Sequence, residues 1–449
     1  LILPSIFGTD GVRGVANREL TPELALKLGL AGGRYLLDKQ INPGRGKVLI
    51  GRDTRLSGDM LESALVAGLT AAGLDVHLGG ILPTPAVAYL TRTEDFSGGI
   101  MISASHNPIA DNGIKFFNAD GNKLTDKQEN QIETYLENGE KYARPEGEEV
   151  GKKREAFQLK EKYMNFLCSK ANGDFTGYKV VLDTAYGAAW EIAPRVWELL
   201  GADVISLHDS PAGEKINHQC GSTYPQVIRE IILEAGADFG FAFDGDADRV
   251  IAIDEEGNEL DGDFIMAICG CHLLKTGRLA NRTLVATKYS NQGLKEALQK
   301  EGGELLLTQN GDRYVFEALK GKKLNLGGEK SGHIIFLEEN TTGDGLLTSI
   351  MLANVISSEH DKLSQLAKVM KPWPQLLRNV EVKDKGWKDN LKIQEVIKRS
   401  ENTLGDRGRI LVRASGTEPV IRVMVEGKDE KILGKILNGV VGVIEKELG

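Results

Sequence analysis

Along most of the chain, short apolar runs of strand length alternate with longer stretches whose apolar positions recur every three or four residues, the periods of strand and helix. Lys47–Gly51 reads as a strand, Asp59–Ala72 as a helix and Leu74–Leu78 as a second strand. The same order returns at Lys179–Asp183, Gly187–Leu200 and Asp203–Leu207, and again at Thr283–Thr287, Gln292–Lys300 and Glu304–Leu307. These segments predict three βαβ units. The turns that close their helices echo one another as Gly73-Leu74-Asp75, Gly201-Ala202-Asp203 and Gly302-Gly303-Glu304. Copies so far apart point to duplication of a domain and not to a stack of short repeats.

A further apolar run follows each unit and ends in a polar loop. The first, Gly98-Gly99-Ile100-Met101-Ile102, leads into Ser103-Ala104-Ser105-His106-Asn107-Pro108; the second leads into Asp244-Gly245-Asp246-Ala247-Asp248-Arg249; the third leads into Gly328-Glu329-Lys330-Ser331-Gly332-His333. Ligands of open α/β sheets collect beyond the carboxyl ends of the strands, so the three loops are expected to converge on one cleft. Ahead of the first unit, Phe7-Gly8-Thr9-Asp10-Gly11-Val12-Arg13-Gly14 is glycine-rich, and Thr21-Pro22-Glu23 starts a helix that runs to about Leu37.

Polarity sets the expected boundaries. Glu137–Lys153 is charged, Phe157–Leu167 reads as a connecting helix, Asp254–Asn258 as a hairpin turn, and Lys371-Pro372-Trp373-Pro374 as a break. Domains are expected at 1–155, 156–257, 258–370 and 371–449. The last is smaller and different in kind, with strands at Arg409–Ala414 and Val420–Glu426 around the turn Ser415-Gly416-Thr417-Glu418-Pro419, then a terminal helix from about Asp429 to Leu448.

Composition narrows the partners. The 449 residues carry 64 acidic against 55 basic side chains, a net charge of -9, which argues against nucleic acid or an anionic membrane. No apolar run approaches the roughly 18 residues that span a bilayer, and no basic-then-apolar leader is apparent, so a cytoplasmic protein is expected. Cys168, Cys220, Cys269 and Cys271 are too scattered for a disulfide framework. The cluster Cys269-Gly270-Cys271-His272 lies inside an apolar run and reads as buried thiols and not as a metal site.

Each loop carries chemistry, weighed against a plainer reading. Ser105 is the candidate nucleophile, although a serine before Asn-Pro commonly serves only as a turn residue. Asp244, Asp246 and Asp248 crowd three carboxylates into five residues, a density that a divalent cation relieves. A calcium EF-hand fails here, because Arg249 stands at the glycine position and strands flank the loop. Magnesium suits the few protein ligands better, with a solvated acidic turn as the alternative. Arg413, Ser415, Gly416, Thr417 and Arg422 have the composition of an anion nest and are expected to bind phosphate. Glu329, Ser331 and His333, at spacing two, would project to one side of an extended backbone, where carboxylate and hydroxyl could grip sugar hydroxyls, although a polar strand edge explains the pattern at least as well.

The serine, acidic, sugar and phosphate loops, in that order, resemble those of the α-D-phosphohexomutases over essentially the whole chain. Within that family, the Phe7–Gly14 segment, Ile102-Ser103-Ala104-Ser105, Ile216-Asn217 with Cys220-Gly221-Ser222, and Gly311-Asp312-Arg313-Tyr314-Val315 look like the bacterial branch acting on glucosamine phosphates. The resemblance implies an α/β fold of four domains arranged in a heart shape, with three related α/β domains of mixed sheets and a smaller C-terminal α+β domain. It implies an isomerase that interconverts glucosamine 6-phosphate and glucosamine 1-phosphate through phosphorylated Ser105 and a reorienting 1,6-bisphosphate, on the route to UDP-N-acetylglucosamine and peptidoglycan. Phosphomannomutase/phosphoglucomutase activity is the alternative within the family.

Further implications concern individual residues. One magnesium ion per chain would be held by Asp244, Asp246, Asp248 and a phosphoserine oxygen of Ser105, with glucosamine or glucose 1,6-bisphosphate as activator. His106 and Lys115 are the candidates for proton transfer, with Arg13 and Arg249 stabilising the transferring group. Lys115 could serve only if Arg13, the metal and burial brought its pKa toward neutrality. Ser103 is expected to support the loop. Lys330 and Asn310 depart from the usual pattern, where glutamine or methionine and an apolar residue are common. The expected partner is a small hexosamine phosphate, with no nucleic acid and no membrane, and a homodimer is left open.

Overall fold

The computed structural model describes residues 6–8, 10–39, 45–138, 143–414 and 419–449. The chain divides into two compact units, one of residues 1–290 with 298–369, the other of 291–297 with 370–449. The first holds three sheets. Its strands are β1 (Val12–Val15), β2 (Lys47–Arg52), β3 (Asp75–Ile81), β4 (Gly98–Ile102), β5 (Asp111–Asn118), β6 (Lys153–Glu155), β7 (Lys179–Asp183), β8 (Asp203–Leu207), β9 (Phe239–Phe243), β10 (Val250–Asp254), β11 (Glu259–Leu260), β12 (Thr283–Thr287), β13 (Glu304–Thr308), β14 (Leu326–Gly328) and β15 (Ile334–Phe336).

One pairing order repeats in all three sheets, as β3-β2-β4-β5, β8-β7-β9-β10 and β13-β12-β14-β15. In each, the first three strands run parallel and the fourth returns antiparallel. Each polar loop joins the last parallel strand to the returning one, at the carboxyl end where ligands gather. Buried strands with both faces covered read as continuous apolar runs, and β4 and β9 are buried at every residue. On one face of the second sheet Phe239 and Phe241 pack with Trp197, whose ring lies 5.4 Å from that of Phe241. On the other face Ala242 meets Val181, Ile228 and Ile232.

The structure adds strands that the pattern did not announce, β1 and β6 among them. β1 lies antiparallel to β5 with Arg13 opposite Gly113, and β6 extends the edge beside β3. β6 is exposed at all three residues, so no apolar signature marks it. The helix expected from Gly187 begins only at Ile192. Turns fill the gap, with Ala185 and Tyr186 at φ of 55° and 53°, and the Ala188 amide donates to the Gly245 carbonyl at 2.8 Å. Gly187 must be glycine for packing reasons, since a Cβ there would lie 2.4 Å from the Gly245 carbonyl oxygen. This turn is therefore shaped around the acidic loop.

The second unit contains β16 (Gln375–Glu381), β17 (Gly408–Ala414) and β18 (Val420–Gly427), antiparallel with β18 in the centre. Ile421, Val423 and Val425 alternate along β18 and form a core with Val380, Ile393, Val440 and Ile444. The helices Leu391–Leu404 and Glu430–Leu448 supply that cover, and the side chains of Asn390 and Asp429 accept the first backbone amides of each.

Candidate functional site

β4 delivers Ser103, Ala104 and Ser105 from the core of the first sheet. The Ser103 hydroxyl donates to Asp53 Oδ2 at 2.6 Å and accepts the Ser105 amide at 2.9 Å, which makes it a brace beneath the loop. Ser105 sits at φ 52°, a left-handed conformation costing a non-glycine residue on the order of 1–3 kcal/mol. Arg55, 1% exposed, holds it there. Its guanidinium donates to the carbonyls of Ser105 (2.9 Å), Asn107 (2.7 Å), Pro108 (2.5 Å) and Asp111 (2.9 Å), while Nε faces Asp53 Oδ2 at 3.0 Å. Asn217 adds a donor to the Ser105 carbonyl at 2.8 Å. So constrained, the Ser105 hydroxyl points across to the second sheet and donates to Asp244 Oδ2 at 2.6 Å, with His106 Nδ1 3.3 Å away.

Asp244, Asp246 and Asp248 follow β9, all buried, each offering an oxygen within 4.8 Å of the others. At that spacing each ionised pair repels by on the order of 3 kcal/mol at an effective dielectric near 20. Burial, then the charges of Asp248 and Asp246, push Asp244 well above the usual carboxylate range. Asp246 is protected from the same fate, for although burial would raise it, Lys115 and the Thr84 hydroxyl hold it low. Thr84 donates to its Oδ2 at 2.6 Å and Lys115 Nζ does so at 2.9 Å. The Oδ1 atoms of Asp246 and Asp248 have no hydrogen-bond partner although both are buried. Three oxygen ligands with unspent lone pairs fit a hard divalent cation bound beside the Ser105 hydroxyl.

Basic groups surround this acidic centre. Arg13, on β1, pairs with Asp10, and Arg249 lies with Nε 3.7 Å from Asp248 Oδ1. Lys115, from β5, sits between Asp246 at 2.9 Å and Asp10 at 3.1 Å. Burial alone would lower its ammonium, but Asp10 and Asp246 outweigh burial and hold it above its ordinary value. The condition on which Lys115 could transfer a proton, a pKa near neutrality, is not met, because two carboxylates face it. His106 behaves oppositely: burial, then Arg249 and Arg13, pull its imidazole down to about 4. It is therefore a neutral imidazole at neutral pH.

The third loop departs from the extended geometry expected of it. Glu329 to Gly332 forms a tight turn, with the Gly332 amide on the Glu329 carbonyl at 3.0 Å and Gly332 at φ 91°, so spacing two does not align the three side chains. Glu329 Oε1 accepts the Gly311 amide at 2.9 Å, Ser331 is exposed, and His333 is buried with Nε2 3.8 Å from both Asp248 and Asp312. His333 thus reaches the acidic centre while Ser331 faces solvent. Lys330 lies 3.8 Å from Asp261, and Asn310 is exposed. In the second unit Arg413 and Arg422 face each other across β17 and β18, whereas Ser415, Gly416 and Thr417 fall outside the described residues.

Several residues of the site were not singled out from sequence. Asp53 and Arg55 stand in Gly51-Arg52-Asp53-Thr54-Arg55, a charged pair just beyond a buried strand and the one signal available. Lys123 bridges Asp10 and Asp312 within the first unit, 2.7 Å from Asp10, and joins the amino-terminal segment to the third domain's Gly311-Asp312 turn. A hollow beside this bridge is lined by Lys123, Asp312, Arg313, His333 and Thr342.

Family models for the four phosphoglucomutase/phosphomannomutase domains match in order: domain I at residues 4–143, domain II at 160–257, domain III at 261–373 and the C-terminal domain at 377–443. Phosphoglucosamine mutases from Shouchella clausii and Bacillus subtilis are each 51% identical, aligning over 444 and 446 residues and covering 99% of this chain and 99% of their own. The chain belongs to the phosphoglucosamine mutase family, within the α-D-phosphohexomutases. Membership makes it an enzyme of the isomerase class. The four-domain architecture recurs in a phosphoglucomutase/phosphomannomutase family protein from Burkholderia thailandensis, with TM-score 0.85, 23% identity and coverage of 100% and 99% of the two chains. It recurs also in a Paramecium phosphoglucomutase with TM-score 0.76 and 17% identity, covering 98% and 95%. Among the described residues no helix is long and apolar enough to cross a membrane.

Two outcomes follow from this geometry. An unfolded histidine takes up its proton near pH 6.5, whereas folded His106 does so only near 4. Between those values the unfolded chain binds more protons, so acidification through the window destabilises the fold. Thermal midpoints of wild type and His106→Gln, compared at about pH 6.5 and about pH 5, should show a smaller acid-induced drop in the variant. Arg55→Met should lower isomerase kcat by about 10²-fold, the cost of an ångström-scale misplacement of a reacting atom. Arg55→Lys should not restore it, because an ammonium cannot span four carbonyls. Steady-state kinetics with circular dichroism as a folding control checks both variants.

Proposed function

We propose that the chain interconverts glucosamine 6-phosphate and glucosamine 1-phosphate, with Ser105 carrying the transferred phosphoryl group. The observation that carries this reading is the Ser105 hydroxyl at 2.6 Å from Asp244, inside a cradle of three buried carboxylates and ringed by Arg13, Lys115 and Arg249. Phosphoryl transfer demands in-line positioning and charge neutralisation above all else. Magnesium, held one per chain by Asp244, Asp246, Asp248 and a phosphoserine oxygen, supplies neutralisation when bound, as expected of oxygen-only ligands.

Phosphorylated Ser105 donates to one hydroxyl of the sugar phosphate, and the resulting 1,6-bisphosphate turns around and returns its other phosphoryl group to Ser105. His106, neutral and beside Ser105, takes the proton of the attacking sugar hydroxyl. Lys115 stays an ammonium, so it acts by fixing Asp246 and the phosphoryl oxygens, with Arg13 and Arg249 stabilising the transferring group. Glu329 and Ser331 hold sugar hydroxyls and His333 backs them, while Arg413, Ser415, Gly416, Thr417 and Arg422 grip the phosphate that is not reacting. Domain limits of 1–155, 156–257, 258–370 and 371–449 assign one loop to each domain. An escaped bisphosphate leaves Ser105 bare, so glucosamine or glucose 1,6-bisphosphate restores activity. The product feeds UDP-N-acetylglucosamine and peptidoglycan precursor synthesis in the cytoplasm.

Turnover of glucosamine, glucose and mannose phosphates by the same preparation tests the substrate, with glucosamine 6-phosphate expected to have the highest kcat/KM. Equal values for all three would favour phosphomannomutase/phosphoglucomutase activity instead. Ser105→Ala should retain the fold and lose isomerase activity, and phosphopeptide mass spectrometry of wild type should find the phosphate on Ser105. A variant that still turns over would remove Ser105 from the reaction.

A further inference from the structure

The second domain carries another cluster of ligand atoms that the transfer chemistry does not use. Asp183 ends β7, His208 follows β8 directly, and Cys220 precedes the turn Gly221–Thr223, bringing carboxylate, imidazole and thiol atoms within 4.8 Å of one another. Asp183 and Cys220 are wholly buried, and the His208 side chain is 20% exposed, which leaves an entry path at the imidazole. The other buried thiols, Cys269 and Cys271, sit on the helix Gly262–Lys275 and belong to no such group among the described residues.

Every member is oriented by a neighbour. Asp183 Oδ1 accepts the Ala185 amide at 2.9 Å and faces His208 Nδ1 at 2.9 Å, while its Oδ2 accepts the Gly221 amide at 2.8 Å. The His208 ring packs against Tyr186 at 4.9 Å between centroids. The Asn217 backbone amide, three residues before Cys220, donates to the Ala185 carbonyl at 3.1 Å and fixes the turn that carries the thiol. Mixed carboxylate, imidazole and thiolate ligands with a fourth position open suit a borderline-soft cation such as zinc and not magnesium. We propose that Asp183, His208 and Cys220 form a second cation site, selective for zinc-like ions, distinct from the acidic loop. Binding expels the thiol proton to solvent and moves the imidazole proton from Nδ1 to Nε2, so that sulfur and nitrogen each donate a lone pair. The site anchors the segment that bears Asn217, whose side chain holds the Ser105 and Asn107 carbonyls at 2.8 and 3.3 Å. Occupancy thereby stiffens the serine loop from below.

Cobalt(II) is the probe, added to full-length enzyme saturated with magnesium so that the acidic loop is filled. One equivalent should bind and give the near-ultraviolet sulfur-to-cobalt absorption that only a thiolate ligand produces. Cys220→Ser should abolish that band, while Cys168→Ser and Cys269→Ser keep it. His208→Ala, at a partly exposed side chain, should weaken cobalt binding by about tenfold or more, as loss of a ligand does. It decides the matter if Cys220→Ser fails to fold. Absence of a sulfur band in folded wild type, a band that survives Cys220→Ser, or undiminished affinity in His208→Ala would each overturn the proposal.

Discussion

Three carboxylates brought out of water at the end of β9 are the constraint around which the first unit is organised. Left together they repel, and burial denies them the solvent that would relieve the repulsion. The structure manages this in part, with Lys115 and Thr84 on one oxygen of Asp246 and the Ser105 hydroxyl on Asp244. The Oδ1 atoms of Asp246 and Asp248 accept no hydrogen bond. A fold that keeps such a centre fits a divalent cation bound among the three carboxylates.

Holding the serine in reach requires its own scaffold. The left-handed Ser105 is a strained residue on a loop, and loops without support drift. Here Ser103, Asp53, Arg55 and Asn217 tie the loop to two different domains. The charges farther out link the amino-terminal segment to the third domain through Asp10, Lys123 and Asp312. Burial would weaken Lys123 as a cation, yet Asp10 and Asp312 outweigh burial and hold its pKa above the ordinary lysine value.

Much of this was legible in the sequence. Apolar runs marked β2, β4, β7, β9 and β12 because those strands are buried on both faces, and the repeated order of units announced the repeated sheet. β1 and β6 stayed hidden, the first in a glycine-rich segment and the second at an exposed edge where backbone pairing leaves no side-chain pattern. Ser105 and the acidic triplet stood out since their chemistry is concentrated within a few residues. Arg55 did not, because its importance lies in four carbonyls distant along the chain, which only folding assembles. The Glu329–His333 geometry was misjudged for a related reason: the positive φ of Gly332 turns a segment whose spacing suggested extended backbone.

We propose that the acidic loop and Ser105 form one cation site completed by a phosphoryl group. Calorimetric titration of magnesium into enzyme phosphorylated at Ser105, and into the same enzyme dephosphorylated, tests it most directly. One ion per chain should bind, tightest in the phosphorylated form, and Asp246→Asn should weaken binding in both. Equal affinity with and without the phosphoryl group, or affinity indifferent to Asp246→Asn, would contradict it.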